Sequence, residues 1–306
     1  MSALIEFDAV CKYYQMGDTT VKAADHITMK IEKGEFVAIV GQSGSGKSTC
    51  MNIIGCLDVP TAGTYRLNGR DVGKMSRNEL ASIRNEMLGF IFQQYNLLPK
   101  LNLLENVEVP LVYAGIPRAE RHRRAREVLE QVGLGDKLKN KPNQLSGGQQ
   151  RRVAFAGVLA MEPEVLVLDE PMAGLDPAAR RDFLGLIDRL HREGLTVVMV
   201  SHSMDDLANC CDRIVVMNEG AVFAEGTPAQ VFAHADELKS IGLGVPAAQR
   251  MALALGQAGV PLRCDKLYTV EALADELAGL LLGCADGPLR VPCQAGSKAP
   301  TREEGC

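Results

Sequence analysis

The stretch Gly41-Gln42-Ser43-Gly44-Ser45-Gly46-Lys47-Ser48 decides the fold, because it fills the pattern G-x-x-x-x-G-K-[ST] at every fixed position. It follows a short apolar run at residues 36–40 and opens a helix that begins Ser48-Thr49. Glycines let the main chain approach an anion closely, and a helix N-terminus presents N–H groups to it. The loop therefore predicts a phosphate site, with Lys47 on the β- and γ-phosphates and Ser48 on Mg²⁺; the alternative is a glycine-rich turn with an unrelated lysine.

A pair of carboxylates follows a second apolar run. Residues 165–168 are Val-Leu-Val-Leu, which is typical of a strand buried on both faces, and Asp169 and Glu170 come directly after it. Phosphoryl transfer needs a metal ion and a positioned water more than covalent chemistry. We therefore expect Asp169 to bind Mg²⁺ through water and Glu170 to orient or deprotonate the attacking water. The alternative is that the two acids cap the next helix.

Composition narrows the class of protein. The chain has 306 residues, 46% apolar and 23% charged, with a formal net charge of −5, which fits a folded globular protein and gives no broad attraction to nucleic acid or anionic lipid. No apolar run approaches the ~18 residues of a membrane span, and the N-terminus does not resemble a secretory signal. We expect a location in the cytosol and nine reduced cysteines, with a metal site in the tail as the alternative.

Strands and helices alternate along the chain, which predicts an α/β fold with a parallel sheet. The strand segments are residues 3–10, 27–31, 36–40, 165–168, 196–200, 214–217 and 221–224. A helix is predicted at residues 177–192, and a capping box at Thr227-Pro228-Ala229-Gln230 predicts another to about His234. The first two strands indicate an antiparallel piece at the start.

Two other segments differ from the rest of the chain in composition. Residues 78–144 are rich in Leu, Glu, Arg and Lys with apolar positions three and four apart, which predicts a mainly helical insertion. An amphipathic helix is predicted from Val270 to Leu281, and the Gly-, Pro- and Ser-rich residues 283–306 have little to bury and are expected to be flexible.

Leu145-Ser146-Gly147-Gly148-Gln149-Gln150 resembles the signature motif of the ATP-binding-cassette (ABC) ATPases, and it lies a short distance before the Asp-Glu strand. The resemblance implies a P-loop NTPase with a RecA-like parallel-sheet core, an antiparallel β subdomain and an α-helical subdomain at about residues 93–160. It further implies an ATPase domain over residues 1–236 and a C-terminal extension over residues 237–282. ATP and Mg²⁺ are the implied cofactors.

The resemblance assigns further roles across two subunits. Ser146, Gly147, Gly148 and Gln149 would contact ATP held by the other subunit. Within Ala173-Gly174-Leu175-Asp176, the acid Asp176 would link the two sites of the dimer. Ser146 is also expected to be a helix N-cap.

Three more positions resemble nucleotide contacts within one subunit. Tyr14 would stack on adenine, with Tyr13 as the alternative. Gln93 would sense Mg²⁺ and the attacking water, and His202 would contact the γ-phosphate. Glu170, His202 and Gln93 are therefore the expected catalytic residues, and Ser48, Gln93 and Asp169 the expected magnesium site.

The two halves resemble different branches of the family. Residues 51–58, 90–98 and 106–110 look like the macrolide-export and lipoprotein-release ATPases, whereas residues 152–161, 200–206 and 237–246 look like the energy-coupling-factor ATPases of vitamin and metal uptake. The apparent junction at residues 145–152 suggests a chimera. Gln94-Tyr95-Asn96 departs from the Tyr-Pro-Glu of the energy-coupling branch, and Met172, in place of a small threonine, is expected to crowd the dimer-facing loop.

Together, these resemblances predict an ATPase that closes as a homodimer or heterodimer. It would drive an integral membrane transporter subunit from the cytoplasmic side of the cell membrane. An energy-coupling importer is favoured by the C-terminal half, and an export or lipoprotein-release ATPase by the N-terminal half. A cell-division regulator or another nucleotide switch is the third alternative. No nucleic-acid partner is expected, because the basic run from Arg118 to Arg126 reads as a solvated helix face.

Overall fold

A six-stranded sheet forms the centre of the protein. The computed structural model describes residues 3–92, 96–262 and 266–283. The sheet has the order β10-β9-β3-β8-β7-β6, and all of its strands are parallel except β10, which pairs antiparallel with β9. Its strands are β3 (Phe36–Gly41), β6 (Leu88–Ile91), β7 (Val165–Asp169), β8 (Thr196–Val200), β9 (Arg213–Asn218) and β10 (Ala221–Gly226).

The central sheet separates two apolar cores. Alternate side chains of β3 point to opposite faces, so Ala38 and Val40 join one core while Val37 and Ile39 join the other. Every residue of β3 is buried, because helices cover one face of the sheet and a second sheet covers the other. The predicted α/β class is confirmed.

The second sheet is antiparallel, with the order β2-β1-β4-β5. Its strands are β1 (Ile5–Met16), β2 (Thr19–Ile31), β4 (Ala62–Leu67) and β5 (Arg70–Asp71). The helices α1 (Lys47–Ile54) and α2 (Arg77–Met87) belong to the same half of the molecule and share its core. The antiparallel opening segment is confirmed, although both strands extend beyond the predicted residues.

One element of the predicted insertion is not helical. Residues 88–91 form β6, the edge strand of the central sheet, in which Leu88 pairs with Val165 and Ile91 with Leu168. The prediction of a mainly helical insertion from residue 78 did not include this strand. A strand of four residues has too few positions to show a period, and pairing with the distant β7 decides its conformation.

Three helices follow β6: α3 (Leu103–Tyr113), α4 (Arg118–Gln131) and α5 (Gly147–Leu159). α3 begins at a capping box in which the Asn102 side chain accepts from the N–H of Glu105 at 2.9 Å. Ala125 and Leu129 of α4 are fully buried beside Val107 of α3. This helical group forms one end of the larger core.

The C-terminal half completes the fold with α6 (Pro177–Arg192), α7 (Met204–Cys210), α8 (Pro228–Ala233), α9 (Ala235–Ser240), α10 (Ala247–Gln257) and α11 (Val270–Gly283). The predicted capping box at Thr227 is confirmed, as is the predicted helix at residues 177–192. α10 and α11 pack on each other through a third, small cluster that includes Ala252 and Leu273. Asp205 of α7 accepts the N–H of Ala247 at 2.6 Å, which ties α10 to the body.

Three further expectations concern membrane spans, the cysteines and the tail. Within the described ranges, none of the helices combines the length and apolar character needed to cross a bilayer. The five cysteines 11, 50, 56, 210 and 211 are free thiols, as expected. The predicted flexible tail lies, from residue 284 onward, outside the described residues.

Candidate functional site

A cavity of about 460 Å³ lies where β3, β7 and β8 end. Ligands of open α/β sheets bind at the carboxyl ends of the strands, and this cavity occupies that position. The glycine-rich loop with the start of α1, the ends of β7 and β8, and part of β2 form its wall. Its lining residues are Val21, Lys22, Ala23, Ser43, Gly44, Gly46, Lys47, Ser48, Thr49, Asp169, Glu170, Val200 and His202.

The glycine-rich loop is held against β2 so that its backbone faces the cavity. Gly46 has φ +98°, and a Cβ there would lie 2.2 Å from the carbonyl oxygen of Ala23. Only glycine tolerates both the conformation and the approach. The space around Gly44 is open, which leaves room for an anion beside its N–H. Residues 41–49 are the nine predicted to bind ATP in this loop and at the start of α1. Six of them line the cavity, whereas Gly41, Gln42 and Ser45 lie outside its lining.

Lys47 supplies the positive charge of the cavity. Its Nζ donates to the carbonyl oxygens of Gly41 at 2.7 Å and Gln42 at 2.6 Å, and the side chain is only 6% exposed. Burial lowers the pKa of Lys47, while the charges of Glu170 and Asp169 oppose that shift. An ammonium fixed between carbonyl groups at the base of an N–H-rich loop is suited to a polyphosphate.

Two carboxylates face Lys47 across the cavity. Asp169 ends β7 in register with Val200 of β8. Glu170 follows with φ +47°, an unusual conformation for a non-glycine residue, and its N–H donates to Val200 O at 3.0 Å. Neither acid caps a helix: the next helix, α6, begins at Pro177, and its N-cap is Asp176. The alternative of a simple capping pair is therefore wrong.

Glu170 and His202 lie in contact at the cavity. His202 Nε2 lies 3.3 Å from Glu170 Oε1, which is buried and has no hydrogen-bond partner within the described chain. Burial raises the pKa of Glu170, and the charge of His202 opposes the rise. Burial also raises the pKa of Asp169, against the charge of Lys47. A buried carboxylate oxygen without a donor is available to accept a hydrogen bond from water.

The donor set of the cavity fits a nucleotide triphosphate with Mg²⁺. The loop N–H groups and Lys47 suit the phosphates, and the Ser48 hydroxyl with the Asp169 carboxylate provides oxygen ligands of the kind that Mg²⁺ prefers. The unpartnered oxygen of Glu170 suits a water molecule.

The signature segment lies on a different surface. Ser146 caps α5, because its side chain accepts from the N–H of Gln149 at 3.3 Å, which confirms the predicted N-cap. Ser146 and Gly147 are exposed and do not line the cavity of their own chain. A Cβ at Gly148 would lie 3.1 Å from the Cβ of Ala179 in α6, so α5 and α6 begin side by side.

Asp176 lies at this second surface as well. Its side chain accepts from the N–H groups of Ala178 at 3.0 Å and Ala179 at 2.9 Å, which makes it the N-cap of α6. The residues predicted to act on another subunit's nucleotide are thus grouped together and separated from the cavity.

Arg151 connects this surface to the segment that follows β7. Its side chain is 1% exposed, and its guanidinium donates to the carbonyl oxygens of Pro171 and, at 3.0 Å, Ala173. Pro171 follows Glu170 directly, and Ala173 lies three residues after it. Sequence reasoning missed this residue, because one arginine at the start of a helix carries no local signal for burial.

Three other predictions have different outcomes. Met172 is 5% exposed and packs into the larger core, and its effect on the dimer-facing loop stays a prediction. Tyr14 and Tyr13 do not line the cavity; the Tyr14 hydroxyl donates to Asp58 at 2.9 Å. Gln93 lies outside the described residues.

Comparison with known proteins gives the family. Residues 24–173 match the family model described as ABC transporter. An uncharacterized ABC transporter ATP-binding protein of Thermotoga maritima is 48% identical over 216 residues, which is 70% of this chain and 92% of that protein. The chain belongs to the ATP-binding proteins of ABC transporters. It is also 46% identical over 231 residues to the macrolide export ATP-binding/permease protein MacB of Hyphomonas neptunium, which covers 76% of this chain. The chain spans only 36% of that relative's length.

Solved structures agree with this assignment. A dimeric post-hydrolysis structure of the ATP-binding cassette MJ0796 with ADP and Pi has a TM-score of 0.67 and 40% identity, and the match covers 73% of this chain and 98% of that one. CbiO1 of Clostridium perfringens, part of the transporter complex cbiONQ, has a TM-score of 0.71 and 30% identity over 83% of this chain and 99% of its own. The chain is an ATPase with the P-loop fold of ABC cassettes.

The matches do not divide the chain into halves. An alignment of 231 residues must cross residues 145–152 in a chain of 306, so the MacB relative spans the apparent junction. The CbiO1 match, at 83% of the chain, crosses it too. The two-branch origin of the sequence stays a prediction.

Proposed function

We propose that two copies of this ATPase, or one copy and a similar subunit, close on two ATP molecules and thereby drive a transporter subunit in the membrane. The observation that carries the proposal is the separation of two half-sites within one chain. Lys47, Asp169 and Glu170 line the cavity, whereas Ser146 and Asp176 lie together on another surface. A second subunit would bring its own exposed Ser146 to the cavity of the first.

Each residue has a distinct part in the proposed cycle. The loop N–H groups and Lys47 hold the phosphates, while Ser48 and Asp169 would hold Mg²⁺. A bound Mg²⁺ would supply positive charge next to the phosphates. Glu170 orients and deprotonates the attacking water, and His202 keeps the Glu170 carboxylate in place and reaches the γ-phosphate. Loss of that phosphate removes the contacts that hold the dimer closed.

A groove beside the helical end offers a surface for the membrane subunit. It has a volume of about 360 Å³ and lies between β6 and the helices α3 and α5. Phe92 and Leu98 line it and are exposed, and Tyr113 at the end of α3 is exposed as well. Exposed apolar side chains grouped at one end of a folded protein favour a protein partner. The proposed localisation is therefore the cytoplasmic side of the membrane, through that partner.

Two transport classes have support. The energy-coupling importer class is favoured by CbiO1, because that match covers more of the chain than the MJ0796 match does. The export class is favoured by the sequence relatives named MacB. We propose the importer class first, since α10 and α11 resemble an extension for subunit association.

The experiment uses Glu170→Gln in the full chain, with Glu86→Gln on the exposed face of α2 as the matched control. We expect Glu170→Gln to lower ATP turnover by about 10²-fold or more and to accumulate an ATP-bound dimer, measured by size-exclusion chromatography with light scattering. Adding Ser146→Arg should abolish that dimer while ATP still binds. Turnover at the unmutated rate in Glu170→Gln, or a dimer that survives Ser146→Arg, would contradict the proposal.

A further inference from the structure

Three potential metal ligands meet in the antiparallel sheet, next to the nucleotide cavity. Cys11 lies on β1, and Asp25 and His26 lie on β2. Cys11 Sγ is 3.9 Å from Asp25 Oδ1, which is 2.8 Å from His26 Nδ1, and the three ligand atoms all lie within 4.8 Å of one another. The residues are neither part of the nucleotide cavity nor used by the proposed ATPase cycle.

The backbone departs from regular strand geometry to bring these side chains together. The register of β1 against β2 shifts between Phe7 and Val10, between Val10 and Lys12 and between Lys12 and Tyr13, so Cys11 lies inside an irregular stretch of the strand pair. His26 has φ +53°, and its N–H donates to Cys11 Sγ at 3.2 Å. Bulges commonly re-aim side chains near functional sites, and a left-handed histidine is a conformation that needs a reason.

The distances are close to those of a four-coordinate ion. Metal–ligand lengths of about 2.0–2.3 Å in a tetrahedral zinc site place neighbouring ligand atoms roughly 3.3–3.7 Å apart. The Sγ–Oδ1 and Oδ1–Nδ1 separations bracket that range, and the third, from Sγ to Nδ1, is within 4.8 Å, so a side-chain adjustment on the order of 1 Å would complete the geometry. Sulfur, imidazole and carboxylate together suit zinc and its chemical relatives rather than Mg²⁺ or Ca²⁺.

Neighbouring residues support the same arrangement. The Tyr13 hydroxyl donates to Asp25 Oδ1 at 2.6 Å, which orients the carboxylate and leaves the second lone pair of that oxygen for an ion. Cys11 is buried, but the side chain of His26 is 72% exposed, so an ion can reach the group from solvent.

From this geometry we propose that Cys11, Asp25 and His26 form a binding site for a divalent transition-metal ion of the zinc class, with a fourth position open to water. The ion binds through Sγ, Oδ1 and Nδ1. It is separate from the Mg²⁺ that accompanies the nucleotide. The positive charge of Lys22 opposes binding of the ion to the same carboxylate, because the Lys22 Nζ lies 3.2 Å from Asp25 Oδ2. The Lys22 side chain is 59% exposed.

Cobalt(II) titration of the full, chelator-treated chain tests the site, because thiolate ligation gives Co²⁺ a sulfur-to-metal charge-transfer absorption. We expect one such ion per chain, displaced by Zn²⁺. Cys11→Ser should abolish the absorption. The matched control Cys56→Ser, which changes another buried cysteine of the same half of the molecule, should retain it.

Two further variants leave the buried core untouched. His26→Ala removes an exposed ligand and should weaken Co²⁺ binding by about tenfold or more. Lys22→Gln removes the competing ammonium and should strengthen binding, a result that a purely structural cluster would not give. The proposal is overturned if the unmutated chain shows no charge-transfer absorption, if the absorption survives in Cys11→Ser, or if His26→Ala binds Co²⁺ with unchanged affinity.

Discussion

The C-terminal segment contacts the phosphate loop at one glycine, and this contact supports a quantitative prediction. Gly242 lies two residues after the end of α9 and has φ +70°. The N–H of Leu243 donates to Leu238 O at 2.8 Å, as in a Schellman cap. A Cβ at Gly242 would lie 1.5 Å from Nε2 of Gln42, in the glycine-rich loop. Gly244, two residues later, has no neighbour within 4 Å of such a Cβ among the described residues.

The expected cost of Gly242→Ala follows from these two features. An alanine in the left-handed conformation costs about 1–2 kcal/mol. The overlap with Gln42 adds little to the free energy of unfolding, because the end of that exposed side chain can swing away. Since each kcal/mol shifts Tm by about 2–4 °C in a chain of roughly this size, Gly242→Ala should lower Tm by about 2–8 °C. Gly244→Ala should stay within about 0.5 kcal/mol of the unmutated chain.

The assay is thermal unfolding of the full chain, combined with the KM for ATP. Gly242→Ala should also raise the KM slightly, because turning the Gln42 side chain away disturbs the loop residue whose backbone carbonyl helps to hold Lys47. In a Gln42→Ala background the overlap is gone, so Gly242→Ala should still lower Tm but no longer change the KM. Equal stability of the alanine variants at positions 242 and 244 would refute the assigned conformation. A KM effect that persists in the Gln42→Ala background would refute the contact.

Two other predictions concern the cavity itself. Lys47→Ala removes a buried cation and its hydrogen bonds, so ATP affinity should fall by about 10- to 150-fold, the equivalent of ~1.5–3 kcal/mol, as measured by calorimetry; unchanged affinity would contradict the phosphate-loop assignment. Glu170 must be deprotonated to act as a base, and burial raises its pKa, so turnover should fall as pH falls through that value. His202→Gln removes a charge that lowers the pKa of Glu170, and the acid limb of the pH profile should therefore move to higher pH; a limb that moves lower or stays fixed would disprove the coupling.

Local signals in the sequence were sufficient for many elements. The helix at residues 177–192 has a capping acid and a proline at its start, and the strand at residues 196–200 is an uninterrupted β-branched and apolar run; the structure has α6 and β8 at these bounds. The glycine-rich loop was predictable for a similar reason, since its residues are adjacent in the chain.

Features that depend on distant partners were not predictable. β6 exists because β7 pairs with it. Arg151 is buried because backbone oxygens about twenty residues away accept hydrogen bonds from its guanidinium. Cys11 meets Asp25 only after β1 and β2 pair with shifted register. Neither contact leaves a pattern within a window of one helix or strand.

The tie made by Arg151 has an evolutionary consequence. Arg151 donates to the main-chain oxygens of Pro171 and Ala173, and every residue has such an oxygen. These hydrogen bonds therefore do not depend on the side chains of the segment that accepts them. A gene that acquired its upstream portion from a different ancestor would need to retain only the arginine for the helix and the loop to remain joined. Recombination near residues 145–152 would therefore preserve this linkage without compensating mutations.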